Sequence, residues 1–348
     1  MTIEVPLLLE PMEAKPVAEL PAGEGWLLEP KYDGFRCILF RDTDTTHLQS
    51  RRQKPLQRFF PEVAAAAQAL PRCVLDGELI IEGQPFDMLQ ARLHPAATRI
   101  AKLSKEAPAQ FVAFDLLADE AGRSLLAQPF AQRRAGLAAL FARLGPHATF
   151  RLSMATQAGA TQAGATQAGA TQTGATQAGG DTQVWLQALG HGLDGIVAKR
   201  LDLPYRPGER VMQKYKLWRT VDCVLGGLYL RADGTIEYLL LGLYDERGRL
   251  DYVGRCSWHG EDAPLLALAD PAAAGFTGAR IPGGKSRWSG KERTPVLLRP
   301  ERAVEVSADH IENGRFRHGS RMLRWRDDKD PARCTTDQLE RPPGTPTA

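Results

Sequence analysis

Cysteine is scarce in this chain, and the cysteines that it has are far apart. They are Cys37, Cys73, Cys223, Cys256 and Cys334, and none belongs to a Cys-x-x-Cys pair. This spacing excludes a zinc ribbon, and the odd number argues against a disulfide framework. The sequence therefore indicates a protein of a reducing compartment.

Long apolar runs are also missing. No uninterrupted apolar stretch in the sequence reaches the roughly 20 residues that a membrane-spanning helix needs. The N-terminus, MTIEVPLLLEPMEAKP, is acidic rather than basic and has only a short apolar run, so no signal peptide is evident. We expect a soluble, cytoplasmic protein with no membrane partner.

A large excess of one charge is missing too, since the formal net charge is only +3. Such a small value does not by itself indicate a partner. The length of 348 residues suits two domains. The pattern changes between Trp218 and Val221, which predicts a first domain at 1–219, a second at 220–335 and a loose Pro/Thr-rich tail at 336–348.

Residues 155–179 form a pentapeptide repeat, ATQAG with one ATQTG unit. The repeat has no charge, no aromatic residue and nothing larger than glutamine, so it buries too little apolar area to offset its ordering entropy. We predict a flexible insertion on a surface loop, and a functional tether is the alternative. A short helix is expected after it, at 182–190.

The segment Lys31-Tyr32-Asp33-Gly34-Phe35-Arg36 places a lysine just before an Asp-Gly pair, between two apolar runs. The pattern predicts strand, turn and strand, with the lysine where the strands diverge. A lysine flanked by other cations can become a nucleophile, whereas a solvated lysine beside a turn has no such role. These six residues alone favour the second interpretation.

The coarse pattern indicates an α+β first domain and a second domain of short strands. An alanine-rich helix is predicted at the end of 56–70, a helix at 130–144, and a strand, turn and strand at 74–81. Short strands with glycine turns at 221–230, 235–243, 249–257 and 296–307 suggest a small barrel. Further strands are predicted at 26–29, 35–41, 46–51, 110–117 and 193–200.

Several short segments, taken in order, resemble the nucleotidyltransferase motifs of ATP-dependent DNA ligases. A match of this many motifs in family order is far more specific than any single tetrapeptide. The segments are KYDGFR at 31–36, SRR at 50–52, DGE at 76–78, AFDLL at 113–117, DGIVAK at 194–199, KYKLW at 214–218 and RDDK at 326–329.

This resemblance covers roughly residues 7–335 and implies a fold and a reaction. The fold would be α+β: an adenylyltransferase (ATP-grasp-like ligase) domain of antiparallel sheets with flanking helices, followed by a C-terminal OB-fold β-barrel. The reaction would seal a nick between a 5′-phosphate and a 3′-hydroxyl in duplex DNA. It would pass through a covalent lysyl-AMP and a DNA-adenylate.

The resemblance also implies roles for individual residues. Lys31 would attack the α-phosphate of ATP, with Lys214 and Lys216 placing positive charge beside it, as phosphoryl transfer requires. Arg326 and Lys329 would orient pyrophosphate, with Asp328 holding their geometry. The remaining nucleotide contacts would be Glu29 and Phe114 at the adenine, Arg36 and Arg51 near the ribose and phosphates, Glu78 at the ribose hydroxyls, and Lys199.

A divalent ion, Mg²⁺ or Mn²⁺, is implied because ATP is used as its metal complex. Asp194 is the main candidate ligand and Glu78 the second. The sequence departs from the family here, since glutamate is commonest at the position of Asp194. Aspartate is one methylene shorter, which favours metal contact through water.

Nicked double-stranded DNA is the expected partner. Between Lys285 and Arg326 the sequence has eleven Lys and Arg residues against five acids. Cationic loops bind phosphates without reading sequence, and surface solubility is the alternative role of these charges. The phrase GRFRHGSRMLRWRDDKDP resembles the short bacterial LigC type, which suggests a monomer, a nucleoid-associated role in repair or end joining, and a Ku-type partner.

Three other functions compete with this one. An mRNA-capping guanylyltransferase shares Lys-x-Asp-Gly and the OB domain, but would be labelled by GTP. An RNA ligase is a further relative, against which the OB domain with RDDK argues. A nick-binding protein without catalysis would require a broken motif, and only Asp194 deviates.

Overall fold

The structure is a computed structural model. It describes residues 3–84, 86–158, 193–216, 218–273, 275–283, 293–308, 311–312, 314–317 and 319–340. The chain divides into two compact units, Met1–Lys216 and Leu217–Ala348. No helix within these described ranges is long and apolar enough to cross a membrane.

Unit 1 contains two mixed sheets in which antiparallel pairing dominates. The first has the strand order β1-β10-β9-β2-β8 and the second β4-β3-β5-β6-β7, with strands defined as follows: β1 Ala14–Val17, β2 Trp26–Tyr32, β3 Phe35–Arg41, β4 Thr46–Ser50, β5 Cys73–Ile80, β6 Gln110–Ala118, β7 Phe150–Leu152, β8 Thr156–Gln157, β9 Leu193–Arg200 and β10 Met212–Tyr215. The helices that accompany them are α1 Pro61–Ala66, α2 Phe86–Gln90, α3 Ala97–Glu106 and α4 Phe130–Leu144.

Helix α4 has the predicted bounds, 130–144. Its apolar residues recur at helical spacing, and Phe130, Leu137 and Leu140 are buried. Gly145 follows with φ of 72°, a left-handed value that glycine adopts without strain and that ends the helix. Local periodicity and one glycine thus determine the whole element.

The Asp33-Gly34 turn joins two different sheets rather than closing a hairpin. Strand β2 pairs with β9 and β8, whereas β3 pairs with β4 and β5. A Cβ on Gly34 would lie 2.1 Å from the backbone oxygen of Leu79. Glycine is therefore required for the chain to pass β5 so closely, and Lys31 lies where the sheets diverge.

Cys73–Ile80 is one continuous strand, β5, and the turn predicted at Asp76-Gly77 is wrong. A Cβ on Gly77 would lie 2.5 Å from the ring of Phe111. The glycine thus makes room for an aromatic side chain on the neighbouring strand and does not bend the backbone. Because the strand is continuous and pairs in unbroken register with β3, Asp76 and Glu78 lie on the same face of it.

The start of the pentapeptide repeat belongs to the sheet, so the predicted insertion at 155–179 is wrong for its first four residues. Thr156 and Gln157 form β8, which pairs with Leu28 and Leu27 of β2. The amide of Ala158 donates to the carbonyl of Trp26 at 3.0 Å. Residues 159–179 and the helix predicted at 182–190 lie outside the described residues.

Unit 2 is built from short antiparallel strands, as predicted. Its main sheet has the order β13-β12-β11-β15-β18, with β14 paired to β11, and β16 pairs with β17. Closure of the main sheet into a barrel stays a prediction. The elements are β11 Arg219–Leu230, β12 Ile236–Tyr244, β13 Leu250–Ser257, α5 Ala263–Leu266, β14 Val296–Leu297, β15 Ala303–Ala308, β16 Ile311–Glu312, β17 Arg315–Phe316 and β18 Arg321–Trp325.

The predicted loose tail is wrong for residues 336–340, which are part of unit 2. Residues Thr336–Leu339 form a short 3₁₀ helix, in which Gln338 and Leu339 are buried. The side chain of Gln338 accepts from the amide of Asp222 at 3.0 Å and donates to its carbonyl at 3.1 Å. Residues 341–348 lie outside the described part of the chain.

Candidate active site

A cavity of about 190 Å³ lies in unit 1, and strands of both sheets line it. Its walls come from residues 11–14, from β2, β9 and β10 of the first sheet, and from β3, β5 and β6 of the second. Eight of the ten site residues predicted in unit 1 line this cavity: Glu29, Lys31, Arg36, Arg51, Glu78, Phe114, Lys199 and Lys214. Of the other two, Asp194 pairs with Lys31, and Lys216 pairs with Asp194.

Lys31 forms an ion pair with Asp194. The pairing follows from the sheet, because β2 and β9 are neighbours and Tyr32 lies opposite Leu193. The Nζ of Lys31 contacts Oδ2 of Asp194, and the Nζ of Lys216 lies 3.5 Å from the same oxygen. Oδ1 of Asp194 is buried and has no hydrogen-bond partner among the described residues. One carboxylate oxygen at the lysine thus remains available to a cation.

Lys214 adds a third cation to this group. Burial lowers the pKa of Lys214, and repulsion from Lys31 and Lys216 lowers it further. Lys214 lies in β10 and Lys216 just after it, so the alternation of the strand brings both toward one face. Lys31 and Lys214 in the cavity wall, with Lys216 beside Asp194, supply positive charge that suits a polyphosphate.

Glu78 is a carboxyl group with unusual titration. Burial raises the pKa of Glu78 to about 7, against the opposing effect of Arg36 and Lys31. The negative charges of Asp76 and Asp33 raise it further. Near neutral pH this group is present in both protonation states, so it can donate a hydrogen bond or accept one.

Phe114 is buried in β6, and two cations lie against its ring. The Nζ of Lys199 is 4.1 Å from the ring centroid and the Cζ of Arg36 is 4.5 Å from it. These are cation–π distances. Phe114 is therefore buried and at the same time part of the cavity wall.

Glu29 carries a buried carboxylate between two cations. It is 2% exposed, with Lys199 Nζ at 2.5 Å from one oxygen and Arg134 Nη1 at 3.0 Å from the other. Burial lowers the pKa of Lys199, while Glu29 and Asp115 oppose that shift. These are charge contacts: among the described residues, neither the Nζ of Lys199 nor the Oε1 of Glu29 makes a hydrogen bond of good geometry.

Arg134 was not predicted as part of this cluster. A signal existed, because Arg133 and Arg134 fall on the apolar face of α4 between Phe130 and Leu137. An arginine on a buried helix face needs an anionic partner. Periodicity could thus have identified the residue, although not which carboxylate it meets.

Arg36 is held by a residue that the motifs did not single out as a site residue. Its Nε and Nη2 each donate to one oxygen of Asp76, both at 2.6 Å, in a bidentate pair. Asp76 is fully buried. Asp76 and Glu78 share one face of β5, but the turn predicted at Asp76-Gly77 concealed this relation in the sequence. Arg51, in contrast, is exposed and lies 3.9 Å from Glu13.

In unit 2, Arg326 and Lys329 share one carboxylate. Oδ2 of Asp222 accepts from Arg326 Nη1 at 2.8 Å and from Lys329 Nζ at 2.7 Å. Asp328 accepts from Arg326 Nε at 2.9 Å, consistent with the role expected for it. Asp222 is fully buried in β11, and no motif pointed to it.

The site offers a divalent cation two carboxyl groups, those of Asp194 and Glu78, and a cation would need further ligands from water or substrate. Within the described ranges, no group of three or more His, Cys, Asp or Glu residues could hold a metal ion. The unpartnered oxygen of Asp194 and the carboxyl of Glu78 are hard oxygen donors. Mg²⁺ commonly takes one or two carboxylates and completes its shell with water and substrate phosphates.

A lysine with two further lysines and a carboxylate, beside a cavity between two sheets, suits an enzyme that acts on a nucleotide polyphosphate. Two family models then match the chain in order. The ATP dependent DNA ligase domain covers residues 11–217, and the ATP dependent DNA ligase C terminal region covers residues 232–329. The chain belongs to the ATP-dependent DNA ligase family, and this confirms the predicted enzyme class, the α+β catalytic domain and the OB-type second domain.

Relatives of similar length support the same assignment. DNA ligase C2 from Mycolicibacterium smegmatis is 43% identical over 98% of this chain and 97% of its own length. DNA ligase C from Mycobacterium tuberculosis is 40% identical over 96% of this chain and 94% of its own. The predicted likeness to the short bacterial type is thereby confirmed.

One solved structure supports the fold. A chain from a structure–function study of Lig E DNA ligases has a TM-score of 0.55, covers 92% of this chain and all of its own, and is 17% identical. At that identity the likeness concerns the fold alone.

Proposed function

We propose that Lys31 is the nucleophile of an ATP-dependent nick-sealing reaction. Its Nζ attacks the α-phosphate of ATP, a P–N bond forms, and the bond to pyrophosphate breaks. AMP then passes to the 5′-phosphate of a nick, and the 3′-hydroxyl displaces it to form the phosphodiester. The observation that carries this proposal is the position of Lys31 beside the cavity, among Lys214, Lys216 and Asp194.

The surrounding charges would stabilise the developing charge on phosphate. Lys214 and Lys216 would neutralise the α-phosphate oxygens, which is the main requirement of phosphoryl transfer. Arg326 and Lys329 would contact the pyrophosphate leaving group. Arg51 is exposed enough to take a phosphate at the rim.

The nucleotide would lie against the cavity wall. Phe114 and Glu29 would contact the adenine, with Lys199 and Arg36 fixing the wall around them. Glu78 would accept a hydrogen bond from the ribose hydroxyls. Its raised pKa makes this contact depend on pH.

Asp194, with Glu78, would hold Mg²⁺ or Mn²⁺, which supplies positive charge against the triphosphate when bound. The ion pair with Asp194 orients Lys31 before attack, and the amine must then give up its proton to act as a nucleophile. The unpartnered Oδ1 of Asp194 supports the presence of a further cation.

Nicked duplex DNA would be bound by cationic residues of unit 2. The exposed Arg321 and Arg324 of β18, with Arg315 and Arg317, support this role. Contacts of this kind give affinity independent of sequence. From the sequence resemblance to the short bacterial type, we further propose a role in repair or end joining at the bacterial nucleoid, as a monomer and with a Ku-type partner.

The test is sealing of a 5′-phosphorylated nick with ATP, GTP or NAD supplied separately in Mg²⁺. Sealing with ATP alone is expected. Labelling of the protein by GTP alone would instead indicate a capping-type guanylyltransferase. Binding to nicked DNA without sealing under any condition would indicate a nick-binding protein.

A further inference from the structure

Tyr205, in the loop between β9 and β10, packs behind the wall of the cavity. Tyr205 is 4% exposed, and its backbone amide donates to the carbonyl of Leu126 at 2.8 Å. Its ring lies 5.7 Å from the guanidinium of Arg133. The phenol is thus anchored from outside the cavity, and its hydroxyl points to Asp76.

The hydroxyl of Tyr205 makes two hydrogen bonds of opposite sense. It donates to Oδ2 of Asp76 at 2.7 Å and accepts from the backbone amide of Met12 at 2.9 Å. Burial and then the charge of Asp76 raise the pKa of Tyr205 well above its usual value, so the hydroxyl keeps its proton. Phenylalanine at this position would leave a buried amide and a buried carboxylate oxygen each short of a partner.

These bonds close into a ring of four residues. Arg36 donates to Asp76 through two nitrogens and to the carbonyl of Met12 at 3.2 Å. Tyr205 is therefore linked to Arg36 by two hydrogen-bonded routes, one through the carboxylate of Asp76 and one through the backbone of Met12. Both Met12 and Arg36 line the cavity, as do Pro11, Glu13 and Ala14 next to Met12.

We infer that Tyr205 is a positioning residue for ATP binding, which fixes Arg36 and the 11–14 wall by closing this hydrogen-bonded ring. The inference rests on the proposed role of this cavity as the ATP site. Tyr205 itself does not line the cavity, so it acts through Arg36 and Met12. A ring that is already closed spares ATP the cost of ordering the wall when it binds.

The experiment measures self-adenylation of the full-length protein as a function of ATP concentration. It compares the wild type with Tyr205→Phe, Arg36→Gln and the double variant. Tyr205→Phe is expected to raise the half-saturating ATP concentration about tenfold, with a maximal rate within about threefold of the wild type. In the Arg36→Gln background the same change is expected to add less than about twofold, because residues of one network are not additive.

Gln49→Leu is the matched control. The fully buried Gln49 donates to the carbonyl of Leu9 at 2.6 Å, so it ties down the same N-terminal segment without joining the ring. Its half-saturating ATP concentration is expected to stay within about twofold of the wild type. An equal rise in Gln49→Leu and Tyr205→Phe would overturn the assignment, because any loosening of the segment would then suffice.

Other outcomes separate this inference from the proposed function. Two results would overturn the role of Tyr205 and leave the proposed function intact. In the first, the wild type is labelled and Tyr205→Phe has the same half-saturating ATP concentration. In the second, the double variant raises that concentration by the product of the two single effects. Failure of the wild type to label would contradict the proposed function. If Tyr205→Phe does not fold, Asp76→Asn replaces it in the same cycle, because it weakens the ring from the other side and the same non-additivity is expected.

Discussion

Lys31 and Asp194 are 163 residues apart in the chain and meet as an ion pair. The contact arises because β2 and β9 are neighbours in one sheet. Asp194 accepts from the lysine with one oxygen and leaves the other without a hydrogen-bond partner among the described residues. The carboxylate is therefore placed to serve two cations, the lysine and a metal ion.

Asp194→Asn keeps the shape of this side chain and removes its charge. We expect the rate of self-adenylation to fall by about 100-fold, because the charge that orients Lys31 and would attract the metal is lost. A time course of label uptake in Mg²⁺ measures this. Asp202→Asn is the control, since its exposed carboxylate pairs with Arg200 beyond the end of the same strand. Equal rates in Asp194→Asn and the wild type would contradict the role of Asp194.

Glu78→Gln should change how stability depends on pH. The pKa of Glu78 is raised from 4.5 to about 7 in the folded chain, so its ionisation costs folding free energy as the pH rises through that window. Glutamine has no such cost. The free energy of unfolding of the variant should therefore rise relative to that of the wild type between pH 4.5 and 7, and the difference should reach at most about 3 kcal/mol above pH 7. Urea unfolding at pH 5 and pH 8 measures the difference.

Glu82→Gln provides the contrast for that experiment. Glu82 is 62% exposed and pairs with Arg151, so its removal should change stability by less than about 0.5 kcal/mol at either pH. A pH-independent difference between Glu78→Gln and the wild type would show that the Glu78 carboxyl titrates normally.

The repeat offers a pair of deletions with opposite outcomes. Removal of 160–179 leaves one ATQAG unit after Met154, so β8 can still pair with Leu27 and Leu28, and adenylation should be unchanged. Removal of 155–179 takes β8 away as well and uncovers the edge of β2 just before Lys31. We expect a lower unfolding temperature and slower labelling, measured by thermal unfolding and label uptake. Equal behaviour of the two deletions would contradict a structural role for 155–158.

Asp222→Asn tests the buried carboxylate that Arg326 and Lys329 share in unit 2. The fully buried carboxylate of Asp222 pairs with Arg326 and Lys329. Removal of its charge takes this anion from both cations and leaves Arg326 with Asp328. Loss of about 3 kcal/mol in the free energy of unfolding is expected, measured by chemical denaturation. Asp327→Asn, whose side chain is 77% exposed, should cost less than about 0.5 kcal/mol. Similar stabilities of the two variants would show that the pair contributes little.

Local signals predicted the parts of the fold that local physics controls. Helix α4 follows from its period and from Gly145, and the Lys31 motif follows from order along the chain. The sequence did not reveal that Gly77 lies within a continuous strand, because the reason for the glycine is the ring of Phe111 on another strand. An Asp-Gly pair can mark a turn, but its glycine can equally make space for a side chain of a neighbouring strand.

Residues that act across long separations were the ones that sequence reasoning missed. Tyr205 reaches Asp76 across 129 positions, and Gln338 reaches Asp222 across 116. A tyrosine in a Pro/Gly loop and a glutamine in a polar tail carry no local sign of such partners. Their roles depend on strand order, which a single sequence does not specify.

Lys31 is the residue that we propose becomes covalently adenylated. The direct measurement is peptide mapping by mass spectrometry after incubation with ATP and Mg²⁺, with Lys31→Ala treated in parallel. We predict one AMP adduct on the peptide that contains Lys31, and none on the variant. An adduct on another residue of the wild type, or undiminished labelling of Lys31→Ala, would contradict the account.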